Sequence, residues 1–184
     1  DGIAYARFPE WYFCPKCRRF QPLSKWIAEF NKNAKEQEKT NNRNMSRRLY
    51  CPKDRVELVV ARIVTVCARG HINDFPWVKW THAKCFGGPK PVCANPQFTT
   101  SPVASEGLEG LSLKCTTCDA SATLKDAFND AIFEQLDEKT ENKFDFMCEG
   151  KHPWKNQTDV CPCYPKVLQR GSSSVYFPVT ASSL

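Results

Sequence analysis

The sequence lacks several features that would place it at once in a familiar class. It has no apolar run near the length of about 20 residues that a membrane-spanning helix needs, and it has no GxxxxGK[ST] phosphate loop. Its three histidines are never followed two residues later by glutamate, because positions 73, 84 and 154 hold Asn, Lys and Trp. These absences argue against a membrane span, an ATP-driven motor within this chain and the HxE site of zinc deaminases.

Export signals and a natural start are also missing. The opening DGIAYARFPEWYF has neither the basic start nor the apolar run of a secretory signal peptide, and it has no initiator methionine. The missing methionine predicts a piece, or a processed form, of a longer chain, so the opening residues leave an upstream signal open. The CxxC spacings, instead, predict zinc knuckles in a reducing cytoplasm.

Cysteine and proline are abundant where aliphatic core residues are scarce. The 184 residues include eleven cysteines and 13 prolines, and the mean hydropathy is −0.51. Such a chain needs crosslinks or metal to hold short elements together. The predicted fold class is α+β: a small irregular zinc-stapled domain with short strands, zinc knuckles or ribbons, and two or three short helices. The CxxC spacings favour zinc thiolates over disulfides.

The segment from Cys67 to Cys85 is the densest in metal-binding side chains. Cys67 and His71 lie four residues apart, and His82 and Cys85 lie three apart. Two close pairs joined by a short segment suit a tetrahedral zinc ion. The spacing predicts one zinc site made by these four residues.

A second predicted site begins with the knuckle Cys14-x-x-Cys17. CPKD repeats that spacing with Cys51 and Asp54. Asp is a less common zinc ligand, so a water or a more distant cysteine is the alternative fourth ligand to Asp54.

A third site is predicted from the knuckle Cys115-x-x-Cys118. Cys148 and Cys161 complete a four-thiolate set in this interpretation, although Cys163 competes with Cys161 and Cys93 is a spare or alternative ligand. In total, the sequence predicts two or three zinc ions.

The positive charge is modest once zinc is counted. The formal net charge is +6, and thiolate ligation lowers it to about +3, which leaves only local basic patches. One such patch is the Asn-rich segment 31–48, which includes Arg47 and Arg48; it is either a solvated insertion or an arm that contacts phosphate. Lys166 and Arg170, beside Gly171, form either a phosphate-binding turn or a hydrogen-bonded turn.

Periodicity predicts a few regular elements. We expect a helix capped by Ser24 and a helix over 123–136 in which Thr123 and Asp126 resemble a capping box. We also expect a short helix that Asp74 can cap, with Pro76 in its first turn and with Trp77 and Trp80 on one face. Residues 56–66 predict one buried strand, 108–115 a short strand, and 85–107 a loop. Trp11, Tyr12 and Trp154 are expected to be buried. The predicted division is 1–66 and 67–184, within one cooperative domain.

Four segments carry a resemblance to a known family: RFPEWYFCPKC, CARGHINDFPW, KHPW and LQRGSSSVYFPV. The chain resembles the zinc-binding region of the DrmB family of the bacterial DISARM anti-phage system, and the resemblance covers nearly the whole length. It departs from the family pattern at Asp54.

The resemblance implies a cytoplasmic accessory subunit that pairs with a superfamily 2 helicase, DrmA, and helps it engage foreign DNA. Arg170 and His71 are the candidate functional residues that it suggests. We expect that the chain is not an enzyme, since cysteine-rich sites favour structural zinc. The alternatives are a zinc hydrolase or nuclease using His71, Asp74 and His82, and a purely structural scaffold.

Overall fold

The structure is a computed structural model that describes residues 7–33, 49–102, 109–141, 143–155, 157–172 and 175. The elements in chain order are β1 (Trp11–Phe13), β2 (Arg19–Pro22), α1 (Leu23–Asn33), β3 (Val59–Val60), β4 (Ile63–Val66), β5 (Ile72–Asp74), α2 (Trp77–Ala83), β6 (Phe98–Pro102), β7 (Leu111–Cys115), β8 (Ser121–Thr123), α3 (Ile132–Lys139), β9 (Lys151–His152), β10 (Gln157–Thr158) and β11 (Lys166–Gln169). Within these described ranges, three helices and short antiparallel strands confirm the predicted α+β class.

The chain divides into two compact units that interleave along the sequence. The sheet unit comprises Pro9–Ala61 and Pro76–Lys125, and the hairpin unit comprises Asp1–Phe8, Arg62–Phe75 and Asp126–Leu184. The predicted division gives two continuous segments, 1–66 and 67–184, whereas each observed unit combines segments that are distant in the sequence. Among the residues that the structure describes, no helix combines the length and apolar character needed to cross a membrane.

The sheet unit is built on a six-stranded antiparallel sheet in the order β3-β1-β2-β6-β7-β8. Aromatic side chains fill its core: Phe20 meets Trp77 edge-on at 4.9 Å, and the Trp80 indole donates to the Thr123 carbonyl at 2.9 Å. Each buried aromatic ring removes a large apolar area from water, so few aliphatic residues are needed. Trp77 and Trp80 are both buried on α2, as the spacing predicts.

The hairpin unit contains a three-stranded antiparallel sheet, β11-β4-β5, and the two-stranded hairpin β9-β10. Phe133 of α3 stacks on Phe146 at 5.1 Å between ring centroids and lies 6.1 Å from Phe75. Like the sheet unit, the hairpin unit relies on aromatic packing.

Two predicted helix starts are corrected by the backbone. Of the predicted helix over 123–136, only the part from Ile132 onward is regular helix. Asp126 has a positive φ of 64°, which breaks the helical conformation before that point. Aspartate tolerates the left-handed conformation better than most residues, since its short side chain can bond locally. Similarly, α1 begins at Leu23, directly after β2, rather than after a Ser24 cap. Asp74 lies in β5, and the residue directly before α2 is Pro76, whose side chain offers no cap.

Three further predictions also need correction. Residues 56–66 form two strands, β3 and β4, that belong to different units, instead of one. The predicted loop over 85–107 contains β6, whose Phe98 pairs with Phe20 and Cys115. Trp154 is exposed, with 61% of its surface accessible, because it lies in the turn between β9 and β10. The strand predicted before the CTTC knuckle is present as β7.

Candidate metal centres

Three four-residue turns in the sheet unit share one backbone geometry. In each turn the first residue's N–H donates to the carbonyl five residues later, at 2.7–3.0 Å, and the residue after the second side-chain ligand has a positive φ of 56–65°. This conformation brings two side chains three residues apart toward one point. The turns are Cys14–Cys17 followed by Arg18, Cys51–Asp54 followed by Arg55, and Cys115–Cys118 followed by Asp119.

Cluster 1 joins two of these turns and consists of Cys14, Cys17, Cys51 and Asp54. The Asp54 carboxylate oxygen lies 3.3 Å from the Cys14 sulfur and 3.4 Å from the Cys51 sulfur. The Cys17 and Cys51 sulfurs are 3.8 Å apart. Asp54 therefore takes the position that a second cysteine holds in the other two turns.

The electrostatics of cluster 1 favour a bound cation. A hydrogen bond from the Cys17 thiol is the main cause that lowers the pKa of Asp54, whereas burial raises the pKa of the Cys14 thiol to about 12. A thiolate at Cys14 thus needs a compensating positive charge, which a divalent metal supplies. The Arg19 guanidinium, 3.9 Å from the Cys51 sulfur, adds a second cation at the edge of the cluster.

Cluster 2 consists of His82, Cys93, Cys115 and Cys118. The His82 Nδ1–H donates to the Val78 carbonyl at 2.7 Å, which leaves the lone pair of Nε2 free to face the Cys118 sulfur at 3.3 Å. The Cys93 and Cys115 sulfurs are 3.7 Å apart. The helix carbonyl thereby selects the histidine tautomer that a metal requires.

Cluster 3, in the hairpin unit, consists of four buried residues: Cys67, His71, Cys148 and Cys161. The Cys67 sulfur lies 3.3 Å from His71 Nδ1 and 3.8 Å from the Cys161 sulfur. Burial opposes ionisation of Cys161, but hydrogen bonds from the Cys163 backbone and the His71 ring outweigh it and lower the pKa of Cys161 to about 7.

Polar groups around cluster 3 are arranged for anionic sulfur and an oriented imidazole. The Asn73 side-chain amide and the Gly150 N–H donate to the Cys148 sulfur at 3.5 and 3.4 Å. On the far side of the His71 ring, Nε2 faces the Asp159 carboxylate at 3.5 Å. A carboxylate behind a histidine fixes the ring and raises its basicity as a ligand.

The three clusters fit a tetrahedral metal ion. With bonds of about 2.3 Å to sulfur, two sulfur ligands of one ion stand roughly 3.8 Å apart, and the observed separations are 3.8, 3.7 and 3.8 Å. A disulfide would bring the sulfurs to about 2.05 Å, and all eleven cysteines are free. Each cluster therefore offers three thiols and one other donor in an arrangement that could hold a metal ion.

The structure keeps one predicted group intact and rearranges the other two. Cys14, Cys17, Cys51 and Asp54 come together as predicted. The predicted Cys67–Cys85 group is divided in the structure: its first pair lies in cluster 3 and His82 lies in cluster 2, with the boundary between the units at Phe75 and Pro76. Cys85 lies in none of the clusters among the described residues, and its thiol donates to the Phe86 carbonyl at 3.4 Å.

The predicted four-thiolate set is divided in the same way. Cys115 and Cys118 belong to cluster 2, whereas Cys148 and Cys161 belong to cluster 3. Cys161 is the member of the cluster, and Cys163 packs beside it.

Of the four predicted DNA-binding residues, two belong to none of the clusters and two lie outside the described residues. The Lys166 ammonium forms an ion pair with Asp130. Arg170 is exposed, and its backbone N–H donates to the Arg62 carbonyl at 2.7 Å. Arg47 and Arg48 lie outside the described residues.

Some members and neighbours of the clusters were not assigned by sequence spacing. Cys93, which the sequence analysis kept as a spare or alternative ligand, joins cluster 2 from a loop. No sequence spacing points to Asn73 or Asp159, which support cluster 3 from neighbouring strands and turns. His152 packs against His71, with ring centroids 4.7 Å apart, and its Nε2 faces Asp159 at 3.5 Å.

Comparison with known proteins shows that the chain belongs to a family defined by sequence similarity. The chain belongs to the family described as a domain of unknown function, DUF8724, whose model matches residues 1–177.

A curated relative is the DISARM protein DrmB of Bacillus paralicheniformis (strain ATCC 9945a / NCIMB 11709 / CD-2). The two sequences are 32% identical over 137 residues, which is 73% of this chain and 21% of the relative. The resemblance to DrmB is thus confirmed, and the chain spans about a fifth of the relative's length.

Proposed function

We propose that this chain is a zinc-binding, non-catalytic part of a bacterial anti-phage complex of the DISARM type. In this proposal it is cytoplasmic, associates with a superfamily 2 helicase similar to DrmA, and assists the binding of foreign DNA. The similarity to DrmB supports the assignment to defence. Free, clustered thiols support a reducing compartment.

The observation that carries the structural role is the donor set of the clusters. Each cluster supplies four protein donors, three of them thiols. A catalytic zinc ion keeps one position open for water, whereas a structural ion is closed by four protein ligands. Zinc is the metal that this sulfur-rich, tetrahedral set favours. Four donors per cluster also support the view that the chain is not itself an enzyme.

The DNA role has a local electrostatic basis. With three thiolates, one zinc ion and either a neutral histidine or an already counted aspartate, each cluster adds −1 and lowers the formal charge from +6 to about +3. General attraction to DNA is therefore weak, and contact depends on local cations. Arg170 is exposed on the turn after β11. Lys166 forms a solvent-exposed ion pair with Asp130, which costs little to exchange for phosphate.

The test is DNA binding by the full-length protein with its helicase, measured over a range of salt concentrations. Arg170→Ala should weaken binding and reduce the slope of log K against log salt by about 0.9 for duplex DNA. Lys125→Ala, which removes an exposed lysine of the sheet unit, is the matched control and should leave the slope unchanged. An Arg170→Ala complex with the parental slope would remove this contact from the proposal, and a complex that binds no DNA would leave a protein scaffold.

A further inference from the structure

The sheet unit contains a cleft of mixed polar and apolar lining beside clusters 1 and 2. The cleft has a volume of about 400 Å³, within the range of about 300–1,000 Å³ that is typical of small-ligand sites. Its walls come from β2, α1, the loop before β6, β6 itself and the Cys115–Cys118 turn.

Both neighbouring clusters hold the walls in place. Arg19 lines the cleft and contacts the Cys51 sulfur of cluster 1 at 3.9 Å. On the opposite side, Thr116 lies inside the cluster 2 turn, and its backbone N–H donates to the Gln97 carbonyl at 2.7 Å. A cleft whose walls are fixed by metal sites is organised before its ligand arrives, which lowers the entropic cost of binding.

The charge of the cleft favours a single anionic group. Glu29 is neutralised within the wall, because its two carboxylate oxygens accept from Arg19 at 2.8 Å and from Gln21 at 2.9 Å. Lys25 remains, with one long contact of 3.4 Å to the Pro96 carbonyl. Its ammonium has three donors, so it has capacity left for a phosphate oxygen.

The remaining lining groups suit the edge of a planar base. Asn95 and Gln97 line the cleft, and their side-chain amides form no hydrogen bond with the residues that the structure describes. Each carboxamide offers a donor and an acceptor side by side, the pattern that reads a base by paired hydrogen bonds. Pro96 and Phe98 add apolar surface between the polar groups.

From these features we infer that the cleft binds one unpaired nucleotide of a DNA single strand, with its phosphate on Lys25 and its base against Gln97. The inference rests on the proposed function, since a helicase complex supplies single-stranded DNA. It adds a site that is separate from the Arg170 turn.

The experiment uses the full-length protein with its helicase and a fluorescent single-stranded oligonucleotide, together with the same strand carrying abasic positions. Lys25→Ala should lower the salt slope by about 0.7 on either strand. Gln97→Ala should weaken binding of the base-containing strand about tenfold, leave its salt slope unchanged, and have no effect on the abasic strand. Lys125→Ala is the control, and metal content equal to that of the parent checks that each variant folds.

The outcomes separate this inference from the proposed function. If Lys25→Ala and Gln97→Ala leave single-strand binding unchanged while Arg170→Ala weakens DNA binding, the cleft assignment is wrong and the function stands. If the two cleft variants reduce only recovery of the helicase, the cleft binds a protein segment and the nucleotide assignment is overturned. Crosslinks from 5-iodouracil in the strand to residues 95–97 would support it.

Discussion

Replacing Gly150 with alanine should weaken metal binding at cluster 3 and leave clusters 1 and 2 unchanged. Gly150 has a positive φ of 66°, and a Cβ atom there would lie 1.7 Å from the Asp159 backbone oxygen. Real Cβ atoms do not come so close, so the backbone pair in which the Asp159 N–H donates to the Gly150 carbonyl at 2.8 Å must separate. Cys148, two residues earlier, would be displaced with it.

The magnitude follows from two contributions. A left-handed backbone costs a non-glycine residue about 1–2 kcal/mol, and forcing a backbone shift in a packed region costs about 1–3 kcal/mol more. Gly70→Ala is the matched control: Gly70 also has a positive φ, 79°, in the turn between Cys67 and His71, but a Cβ there meets nothing within 4 Å. Gly70→Ala should therefore be destabilised only by the left-handed backbone, the first of the two contributions.

The assay is metal content per chain, followed by the urea concentration at which the metal is released to a colorimetric chelator. We expect both variants to release one ion at a lower urea concentration than the parent does, with Gly150→Ala releasing it before Gly70→Ala, and to release the other ions at the parental concentration. Equal metal content and equal release midpoints for the two variants would refute the reasoning, because the clash would then have no consequence.

Three further predictions concern the ligand sets. Cys93→Ala should lose one metal ion while Cys85→Ala keeps all of them, since only Cys93 lies in a cluster; metal analysis decides, and the reverse result would restore the sequence-based grouping. Asp54→Cys should keep the metal content and slow the loss of metal to a chelator, because all four donors of cluster 1 would then be sulfur atoms. Faster loss would mean that the site requires the carboxylate. Asp159→Asn should weaken metal binding at cluster 3 by about 10–100-fold, since the variant loses the anionic partner of His71. Competition with a chelator of known affinity measures the change, and an affinity equal to that of the parent would contradict the prediction.

Predictions that depended on local spacing were the most successful. Cys14-x-x-Cys17 and Cys51-x-x-Asp54 set the geometry of their own turns, because two ligands three residues apart need only one backbone conformation. The same holds for Trp77 and Trp80, which share a face of α2 through helical periodicity alone.

Predictions that combined distant segments were less reliable. The Cys67–His71 and His82–Cys85 pairs are close in sequence, yet the chain passes from one unit to the other between Phe75 and Pro76. Spacing contains no information about such a crossing. The interrupted helix before Ile132 has a related cause, since a single left-handed residue, Asp126, overrides an otherwise regular apolar pattern.

The sequence by itself determined the α+β class, the resemblance to DrmB and the supply of ligands: eleven cysteines, three histidines and Asp54 at a cysteine position. Tertiary structure alone decided which pairs combine, that Cys93 is included and Cys85 is not, and that Asp159 lies behind His71. The physical reason is that a turn is set by its own few residues. A four-donor cluster, in contrast, needs residues as far apart as Cys67 and Cys161 to meet. The pairing of β4 with β11 helps to bring those two segments together, and it depends on the packing of the whole unit.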